Sequence, residues 1–526
     1  MARPQTTGPD SAAWALPAVD RQVVVPVAVA VGLSAMAMVL GWRGGDLAAQ
    51  VYRVNLFRAH GLVTWDDLWF AGHPTFDYST LSPVFGAVLG PVALGACSSV
   101  VAAWCVDRLL RAQFGSSAAL GALWFATSTV TNLAVGRITF SLGVAVGLCS
   151  LVALQRGRTR WCAALGCACS LASPVAAVFL CIGVAAWGST QRSRWWPAAG
   201  IITATTLPVV VVAIAFPSAG VFPFETWALG WNLLTVAAVY LALPREQVVL
   251  RRAAVLYALA NVAVYAVPNP LGGNVSRLAQ YAVGPLLACL LIRTRPRLLL
   301  VAALPLLVWQ WLPAVDGITR APSDPSGTRA YYEPLLGALA AHASGPIRVE
   351  IPMTLRHWES VYVAADHSLA RGWETQLDRS YNPIFYDGTL NAATYERWLS
   401  DQGVTYVALP TARLDPTSKD EAALLRTALP YLTPVWHDES WQLWRDDASA
   451  GLVTGPATLT KLGPDTFTVD VTGPGDVTVR LRPSGHWAVD GPGCIATSPT
   501  GWLVLRGLGV GQSRVTQALR STTCKT

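Results

Sequence analysis

Ionisable and aromatic side chains crowd into the segment from residue 43 to residue 82, between the first two apolar runs of the chain. Its ionisable residues include Asp46, Arg53, Arg58, His60, Asp66, Asp67, His73 and Asp77. Almost everything around this segment is apolar. A membrane protein that gathers carboxylates, guanidiniums and indoles directly after its first span is expected to handle a polar substrate there.

Asp46 is the candidate for proton chemistry. It follows Gly44-Gly45, and apolar residues recur near helical spacing over 47–57, with Gln50 and Arg53 on the other faces. This pattern predicts an amphipathic helix in the outer membrane interface. Asp46 is then either the N-cap of that helix or a carboxylate held at the membrane surface as a general base. Spacing leaves both interpretations open.

The middle of the loop carries the remaining candidate groups. Thr64 stands three residues before Asp67, as in a capping box that begins a helix. Trp65, Trp69 and Tyr78 are either an interfacial aromatic belt or platforms for sugar rings. The sequence does not separate these alternatives.

Two short loops farther along the chain each contribute one guanidinium. Arg137 follows Gly136 between two apolar runs, and Arg277 opens another run. Each either binds a lipid phosphate or snorkels to the headgroup region. The chain has no convincing metal-ligand spacing, no GxSxG motif and no glycine-rich phosphate loop after a strand.

Composition places the protein in the membrane class. Of the 526 residues 53% are hydrophobic and 13% are charged, and the mean hydropathy is +0.41. A soluble domain carries about 25% charged residues. The net charge of +7 comes from arginines in short loops between apolar runs, a pattern of membrane topology rather than of nucleic-acid binding.

The order of apolar runs predicts the membrane domain. They cover 23–42, 84–106, 116–135, 138–154, 161–187, 198–216, 226–243, 253–267, 278–292 and 298–314. Arginine clusters flank 161–187 at both ends, and Ser173-Pro174 lies at its centre, so we interpret this run as a hairpin of two short helices. The prediction is a disordered cytoplasmic tail at 1–22 and an α-helical polytopic domain at 23–315 with about 11 spans, two of them that hairpin. The loop 43–82 then faces outward.

The remainder of the chain is predicted to form two extracytoplasmic domains. Helical runs, among them EAALLRTALPYL at 421–432, alternate with strand-like runs over 316–448, which predicts an α/β domain. Short strands with period-2 alternation follow over 449–526 and predict a β-sandwich or jelly roll. Cys494 and Cys524 are the two cysteines of this polar region, and outside the cytoplasm they are expected to form a disulfide.

The first loop also resembles a known group. Its order is Gly45-Asp46 after the span, Tyr52-Arg53, His60-Gly61, and W-D-x-x-W-F-x-G-x-P over 65–74. A tyrosine and a proline follow before the second apolar run. This order is similar to bacterial integral-membrane proteins named as related to 6-pyruvoyl-tetrahydropterin synthase, which belong with the GT-C superfamily of glycosyltransferases. The match covers about 40 residues, and nothing in the chain points to pterin chemistry.

The resemblance implies a glycosyltransferase of the bacterial inner membrane. Its donor would be a polyprenyl-phosphate sugar, and its acceptor a cell-envelope glycan or lipid on the outer face. Asp46 stands where such enzymes place an acidic residue, with Asp66 or Asp67 as second candidates. The paired acidic motif of other GT-C families is absent, which leaves a divalent cation requirement open.

Several residues are candidates for contacts with the substrate, and two other functions are compatible with the sequence. Candidate substrate-binding residues are Arg53, Arg58, His60, Trp65, Trp69, His73, Tyr78, Arg137 and Arg277. Two alternatives remain: a transporter of a lipid-linked substrate, and a non-catalytic scaffold with a protein partner in cell-envelope assembly. The apolar runs carry no Asp, Glu, Lys or Arg, which argues against the transporter. The single weak carboxylate motif keeps the scaffold open.

Overall fold

The structure is a computed structural model that describes residues 21–76, 78–217, 220–518 and 520–524. The first helix begins at Arg21, so the last two residues of the tail predicted for 1–22 are helical. The rest of that tail lies outside the described residues, as does Asp77.

The N-terminal part of the chain is a helical bundle with one short hairpin of strands. Its elements are α1 (Arg21–Val39), α2 (Leu47–His60), β1 (Trp65–Asp66), β2 (His73–Pro74), α3 (Leu81–Leu89), α4 (Pro91–Phe114), α5 (Ala118–Val135), α6 (Ile138–Gln155), α7 (Thr159–Ala172), α8 (Pro174–Ser189), α9 (Trp195–Ala215), α10 (Thr226–Ala242), α11 (Val248–Ala266), α12 (Arg277–Leu291) and α13 (Pro296–Trp311).

Apolar composition and length let several of these helices cross a bilayer. Among the described residues, five helical segments are long and apolar enough to do so: Pro91–Val135, Ile138–Gln155, Arg192–Ala215, Val248–Ala266 and Pro296–Ser323. Shorter apolar helices cover Val25–Val39, Pro174–Ser189 and Thr226–Ala242. Large apolar side chains on α9 and α13, among them Ile214 and Leu300, are exposed on the bundle surface, where lipid tails would cover them.

The run predicted as a hairpin consists of two helices that meet at Ser173. This residue has an extended backbone, and its hydroxyl accepts a hydrogen bond from the N–H of Ala176 at the start of α8. Pro174 at the first helical position lacks the N–H that a continuous helix would need. Ser173 borders the same cavity as Arg137 and Phe216, so the tip of the hairpin lies at the end of the bundle where α6 begins and α9 ends.

An α/β domain follows the bundle. Its elements are α14 (Val315–Thr319), α15 (Arg329–His342), β3 (Arg348–Glu350), α16 (Glu359–Tyr362), β4 (Ser368–Leu369), α17 (Thr375–Tyr381), α18 (Ala392–Gln402), β5 (Val404–Pro410), α19 (Lys419–Leu425), β6 (Leu432–His437) and β7 (Trp441–Asp446). The five strands form one mixed sheet in the order β4-β3-β5-β7-β6. The strands β4, β3 and β5 are parallel, and the β5–β7 and β7–β6 pairs are antiparallel.

A β-sandwich forms the C-terminal end. Its strands are β8 (Val453–Thr454), β9 (Ala457–Leu462), β10 (Thr466–Val471), β11 (Val477–Val479), β12 (Trp487–Asp490), β13 (Cys494–Thr497), β14 (Leu503–Arg506) and β15 (Gly511–Gln517). They form two antiparallel sheets, β12-β15-β10-β9 and β13-β14-β11-β8. Alternate residues of β10, including Phe467 and Val469, point into the core, as the period-2 pattern predicts. A disulfide joins Cys494 to Cys524.

Three local predictions are wrong. The capping box at Thr64 begins no helix, because Trp65 and Asp66 pair as a strand with Pro74 and His73. The helix predicted from the sequence EAALLRTALPYL ends at Leu425, and its last residue begins β6 instead. The helix α2 does form, but most of its residues are buried against other parts of the protein instead of being exposed at an interface.

Burial explains why α2 departs from the surface prediction. Gln50 and Arg53, which were expected on its polar face, are buried along with most of the helix. The helix contacts α3 of the bundle and also α16 of the α/β domain. Packing against that domain, some 300 residues later in the chain, therefore replaced the solvent and lipid that the sequence pattern led us to expect.

Candidate active site

A cavity of about 870 Å³ lies where the helical bundle meets the α/β domain. One wall is apolar and consists of residues from α8 and α9, including Val175, Val178, Val209 and Val212. The opposite end is polar and consists of the loops that connect the bundle helices, together with part of the α/β domain. Its volume falls within the usual range of small-molecule sites, which is about 300–1,000 Å³.

Close backbone contacts place Asp46 in this cavity. A Cβ atom at Gly44 would lie 2.6 Å from the carbonyl oxygen of Val135, and one at Gly136 would lie 2.3 Å from the nitrogen of Leu47. Only glycine therefore permits the α1–α2 loop to touch the α5–α6 turn. The N–H of Asp46 donates to the carbonyl of Val135 at 3.1 Å across the same contact.

The carboxylate of Asp46 pairs with a guanidinium rather than with its own helix. Arg137 Nε lies 3.3 Å from Asp46 Oδ2, and the Asp46 side chain keeps 24% of its surface exposed. Asp46 occupies the N-cap position of α2, but its side chain accepts no hydrogen bond from the helix. The geometry thus provides no capping role for the side chain and leaves the carboxylate facing the cavity.

Arg277 supplies a second guanidinium at the polar end. It begins α12, and its guanidinium carbon lies 5.0 Å from the centre of the Phe140 ring, a cation–π contact. Asp46 and Arg137 act on it electrostatically, but no carboxylate of the described residues forms an ion pair with it. Because a partly buried charge without a counterion is costly, this position favours an anionic ligand.

The α/β domain contributes a histidine–aspartate pair to the cavity. His357 Nε2 lies 3.4 Å from Asp415 Oδ2, and both residues border the cavity. Burial lowers the pKa of His357. The contact with Asp415 and the charge of Glu359 outweigh burial and hold this pKa above its ordinary value. Burial raises the pKa of the Asp415 carboxyl, but the hydrogen bond and charge of His357 outweigh burial and lower this pKa to about 2. The pair is therefore an ion pair at mildly acidic pH.

Two contacts fix the α/β domain against the first loop. Trp373 Nε1 donates to the carbonyl of Gly45 at 2.9 Å, next to Asp46. Arg53 forms a buried ion pair with Glu374, and its guanidinium lies 4.2 Å from the centre of the Tyr78 ring. Glu374 and Tyr78 border the cavity, whereas Arg53 stands behind them. Arg53 therefore positions cavity residues and does not contact a ligand itself.

The second carboxylate candidates lie elsewhere. Asp66 and Asp67 are fully buried between the first loop and the C-terminal domains. The hydroxyl of Tyr52 donates to Asp66 at 2.8 Å, and Trp65 Nε1 donates to Asp67 at 2.9 Å. Burial raises the pKa of Asp66 to about 6 and that of Asp67 well above its usual range. Neither borders the cavity, so both belong to the packed core of the loop.

His73 and Trp69 are buried in the same part of the first loop as Asp66 and Asp67. His73 Nδ1 lies 3.1 Å from the carbonyl of Asp66, and burial lowers the pKa of this imidazole to about 3. Trp69 is fully buried, stacks on Tyr52 at 4.2 Å and donates to the carbonyl of Ser360. It is therefore neither an interfacial belt residue nor a sugar platform.

The remaining candidate substrate-binding residues of the first loop lie in different places in the structure. Arg58 is exposed and donates to the carbonyl of Ala87 at the end of α3, and His60 is exposed at the end of α2. Trp65 borders a different, smaller cavity. Of the residues singled out from the sequence, the structure therefore brings Asp46, Tyr78, Arg137 and Arg277 together in one cavity.

Sequence reasoning missed His357, Trp373, Glu374 and Asp415. They come from loops of the α/β domain, where no motif distinguishes them. One signal was available: a histidine and an aspartate stand among apolar residues in the segments 351–363 and 404–415. Within the described residues, no group of three or more His, Cys, Asp or Glu side chains is arranged to hold a metal ion.

No protein-family model matches the chain, and no curated protein matches it.

Proposed function

We propose that the protein is a membrane glycosyltransferase that moves a sugar from a polyprenyl-phosphate donor to a glycan or lipid acceptor. One observation carries this proposal: a single cavity joins an apolar wall on α8 and α9 to a polar end with Asp46 and Arg277. A donor built from an isoprenoid chain and a phosphate-linked sugar has the same two parts. The resemblance of the first loop to GT-C glycosyltransferases points to the same class of donor.

The apolar wall suits the isoprenoid chain. It lies on α9, whose outer face carries exposed side chains such as Val211 and Ile214 that lipid would cover. A chain in the bilayer would reach the wall without crossing water. Pro208, inside α9, also borders the cavity, and an internal proline removes one helical hydrogen bond at this level.

Arg277 suits the phosphate. Arg137 and Arg53 each have a carboxylate partner, whereas Arg277 has an aromatic ring and no ion pair with a described residue. A guanidinium binds phosphate oxygens through two parallel hydrogen bonds. When the glycosyl–oxygen bond breaks, negative charge grows on the departing phosphate, and Arg277 stabilises it there.

Asp46 suits the general base. In the proposed reaction, an acceptor hydroxyl attacks the anomeric carbon, its proton passes to the Asp46 carboxylate, and polyprenyl phosphate leaves. Arg137 holds the carboxylate in place through its Nε contact. His357, Trp373 and Asp415 form the polar wall next to it and would hydrogen-bond to sugar hydroxyls.

The orientation in a bacterial inner membrane is part of the proposal. The basic turns at 156–160 and 192–194 lie at the opposite ends of α6–α9 from the cavity. By the positive-inside rule those turns are cytoplasmic. The cavity and both C-terminal domains would then face outward, where a cell-envelope glycan or glycolipid acceptor is available.

A transfer assay in nanodiscs tests the proposal. The protein is supplied with a panel of polyprenyl-phosphate monosaccharides and a cell-envelope lipid extract, and sugar transfer is followed by radiolabel. Asp46→Asn should reduce the turnover by about 10²–10⁴-fold, the usual contribution of a general base. Arg58→Gln changes an exposed guanidinium outside the cavity and serves as the matched control.

Two outcomes contradict the proposal. Full transfer activity of Asp46→Asn at native expression removes the base assignment. Absence of transfer from every donor with the native protein favours the scaffold, or the transporter if the same nanodisc protein moves the lipid-linked sugar across vesicle membranes.

A further inference from the structure

A second, smaller cavity of about 290 Å³ lies where the first loop, the end of α9 and the C-terminal domains meet. Trp65 comes from the first loop, Phe216 and Pro217 follow α9, and Tyr381 ends α17. The β-sandwich completes the cavity with Arg482, Ser484, His486 and Gln517. None of the candidate catalytic groups described above borders it.

The two cavities are neighbours. Phe216 and Pro217 border both of them. The ring of Phe216 also contacts His486, with 5.6 Å between the ring centres. A ligand in the small cavity would therefore sit one aromatic ring away from the proposed donor site.

The polar groups of the small cavity include a donor without an acceptor. The hydroxyl of Ser484 donates to Gln517 Oε1 at 2.8 Å, which fixes the side-chain amide. The Nε2 atom of Gln517 is then buried and has no acceptor among the described residues. Buried amide donors are almost always satisfied in folded proteins, by protein groups or by ordered water, so this donor of a cavity-lining residue calls for an oxygen acceptor.

Arg482 adds a guanidinium held by an aromatic ring. Its Nε donates to the carbonyl of Phe70 at 2.8 Å, and its guanidinium carbon lies 3.7 Å from the centre of the Tyr381 ring. No described residue accepts a hydrogen bond from its two terminal nitrogens, and no carboxylate borders the cavity. These nitrogens are available to hydroxyl oxygens of a ligand.

Aromatic rings beside fixed hydrogen-bond donors match the two faces of a sugar ring. The apolar C–H face packs on aromatic side chains, and the hydroxyl oxygens accept hydrogen bonds from the donors. A volume near 300 Å³ is at the small end of ligand sites, which limits the occupant to about one ring or two. A simple anion would contact the guanidinium but would make no use of the aromatic part of the wall.

We propose that the small cavity is a saccharide-binding site that holds a sugar residue of the acceptor glycan. The acceptor role rests on the function proposed above, because the site lies beside the donor cavity and across Phe216 from it. The acceptor would then be a chain of at least two sugar residues: one is held by the β-sandwich domain, and the next offers its hydroxyl to Asp46.

The test uses full-length protein in nanodiscs and saturation-transfer NMR. The probes are the methyl glycosides of glucose, galactose, mannose and arabinose, with inorganic phosphate as the competing anion. Gln517→Ala should weaken binding of the preferred glycoside about tenfold, the loss expected for one hydrogen bond. Gln512→Ala lies exposed on the same strand and should bind like the native protein.

Binding without a response to Gln517→Ala overturns the proposal, as does binding of phosphate alone or of none of the four glycosides. Arg482→Gln is a second variant with the same expected direction, and Gln517→Ala decides alone if that variant does not fold. Glycoside binding in a protein that transfers no sugar contradicts the proposed function and leaves the saccharide site standing. Transfer whose acceptor KM is unchanged by Gln517→Ala contradicts the acceptor role alone.

Discussion

Replacing Gly136 by alanine should displace Asp46 and lower both stability and transfer activity. Gly136 ends α5 with a φ of 91°, in the left-handed region. A Cβ atom there would lie 2.3 Å from the nitrogen of Leu47, the residue after Asp46. Since non-bonded heavy atoms pack at about 3.5 Å or more, the α1–α2 loop must retreat by about 1 Å.

Two costs add at this position. A left-handed backbone costs an L-residue roughly 1–2 kcal/mol, and forcing extra volume into a packed contact costs about 1–3 kcal/mol. The free energy of unfolding should therefore fall by about 2–5 kcal/mol in Gly136→Ala. A retreat of about 1 Å at a catalytic group can also reduce turnover by roughly 10²-fold.

Gly157 provides the matched control. It lies in the turn after α6 with a φ of 72°, and the following arginine donates to the carbonyl five residues back, as Arg137 does after Gly136. Nothing lies within 4 Å of a Cβ atom at Gly157. Gly157→Ala should therefore show the backbone cost alone and retain transfer. Unfolding in mixed micelles and the transfer assay compare the two variants. Equal losses in both would refute the argument that close contact at Gly136 positions Asp46.

Three further predictions concern the C-terminal domains and the buried part of the first loop. Reduction of the Cys494–Cys524 disulfide, whose sequence separation is 30, should destabilise the β-sandwich by roughly 3–4 kcal/mol in a denaturant titration, and an unchanged midpoint would contradict this. The pKa of His73 falls from 6.5 to about 3 on folding, so stability should be lost as the pH falls from 6.5 towards 3, by on the order of 5 kcal/mol. His73→Phe should flatten this acid dependence, and a native-like pH profile would count against burial of neutral imidazole. Because the folded-state pKa of His357 is raised, its pairing with Asp415 stabilises the fold below pH 6.5, and this contribution is lost as the pH rises through the folded-state value. His357→Gln should therefore cost more stability at pH 6 than at pH 8.5, and an equal cost at both would contradict the ion pair.

Local patterns predicted the elements that depend on neighbouring residues. The break at Ser173, the alternation along β10 and the helix that follows Asp46 are all present in the structure. Proline, period-2 alternation and helical spacing act over a few residues, so their effect can be predicted without the rest of the chain. Asp46, Arg137 and Arg277 were likewise chosen because charge is rare beside apolar runs.

Long-range packing decided what the patterns could not predict. Asp66 and Asp67 have the spacing of a helix start, but the carbonyl of Asp67 accepts a hydrogen bond from Ser368 some 300 residues later, and both carboxyls are buried. Arg53 meets Glu374 in the same way. The polar wall with His357 depends on how the α/β domain docks on the bundle. A histidine among apolar residues marks His357 as unusual, but it does not identify what His357 contacts.

The central claim is that the large cavity binds a polyprenyl phosphate with its phosphate at Arg277. Cryo-electron microscopy of the protein in nanodiscs with added polyprenyl phosphate tests it most directly, and it does not require the identity of the sugar. We expect density for the isoprenoid chain along Val178 and Val212, with the phosphate within hydrogen-bond distance of Arg277 and next to Asp46. The density should be absent in Arg277→Gln. An empty cavity beside a bilayer that contains the lipid, or a phosphate bound away from Arg277, would contradict the account.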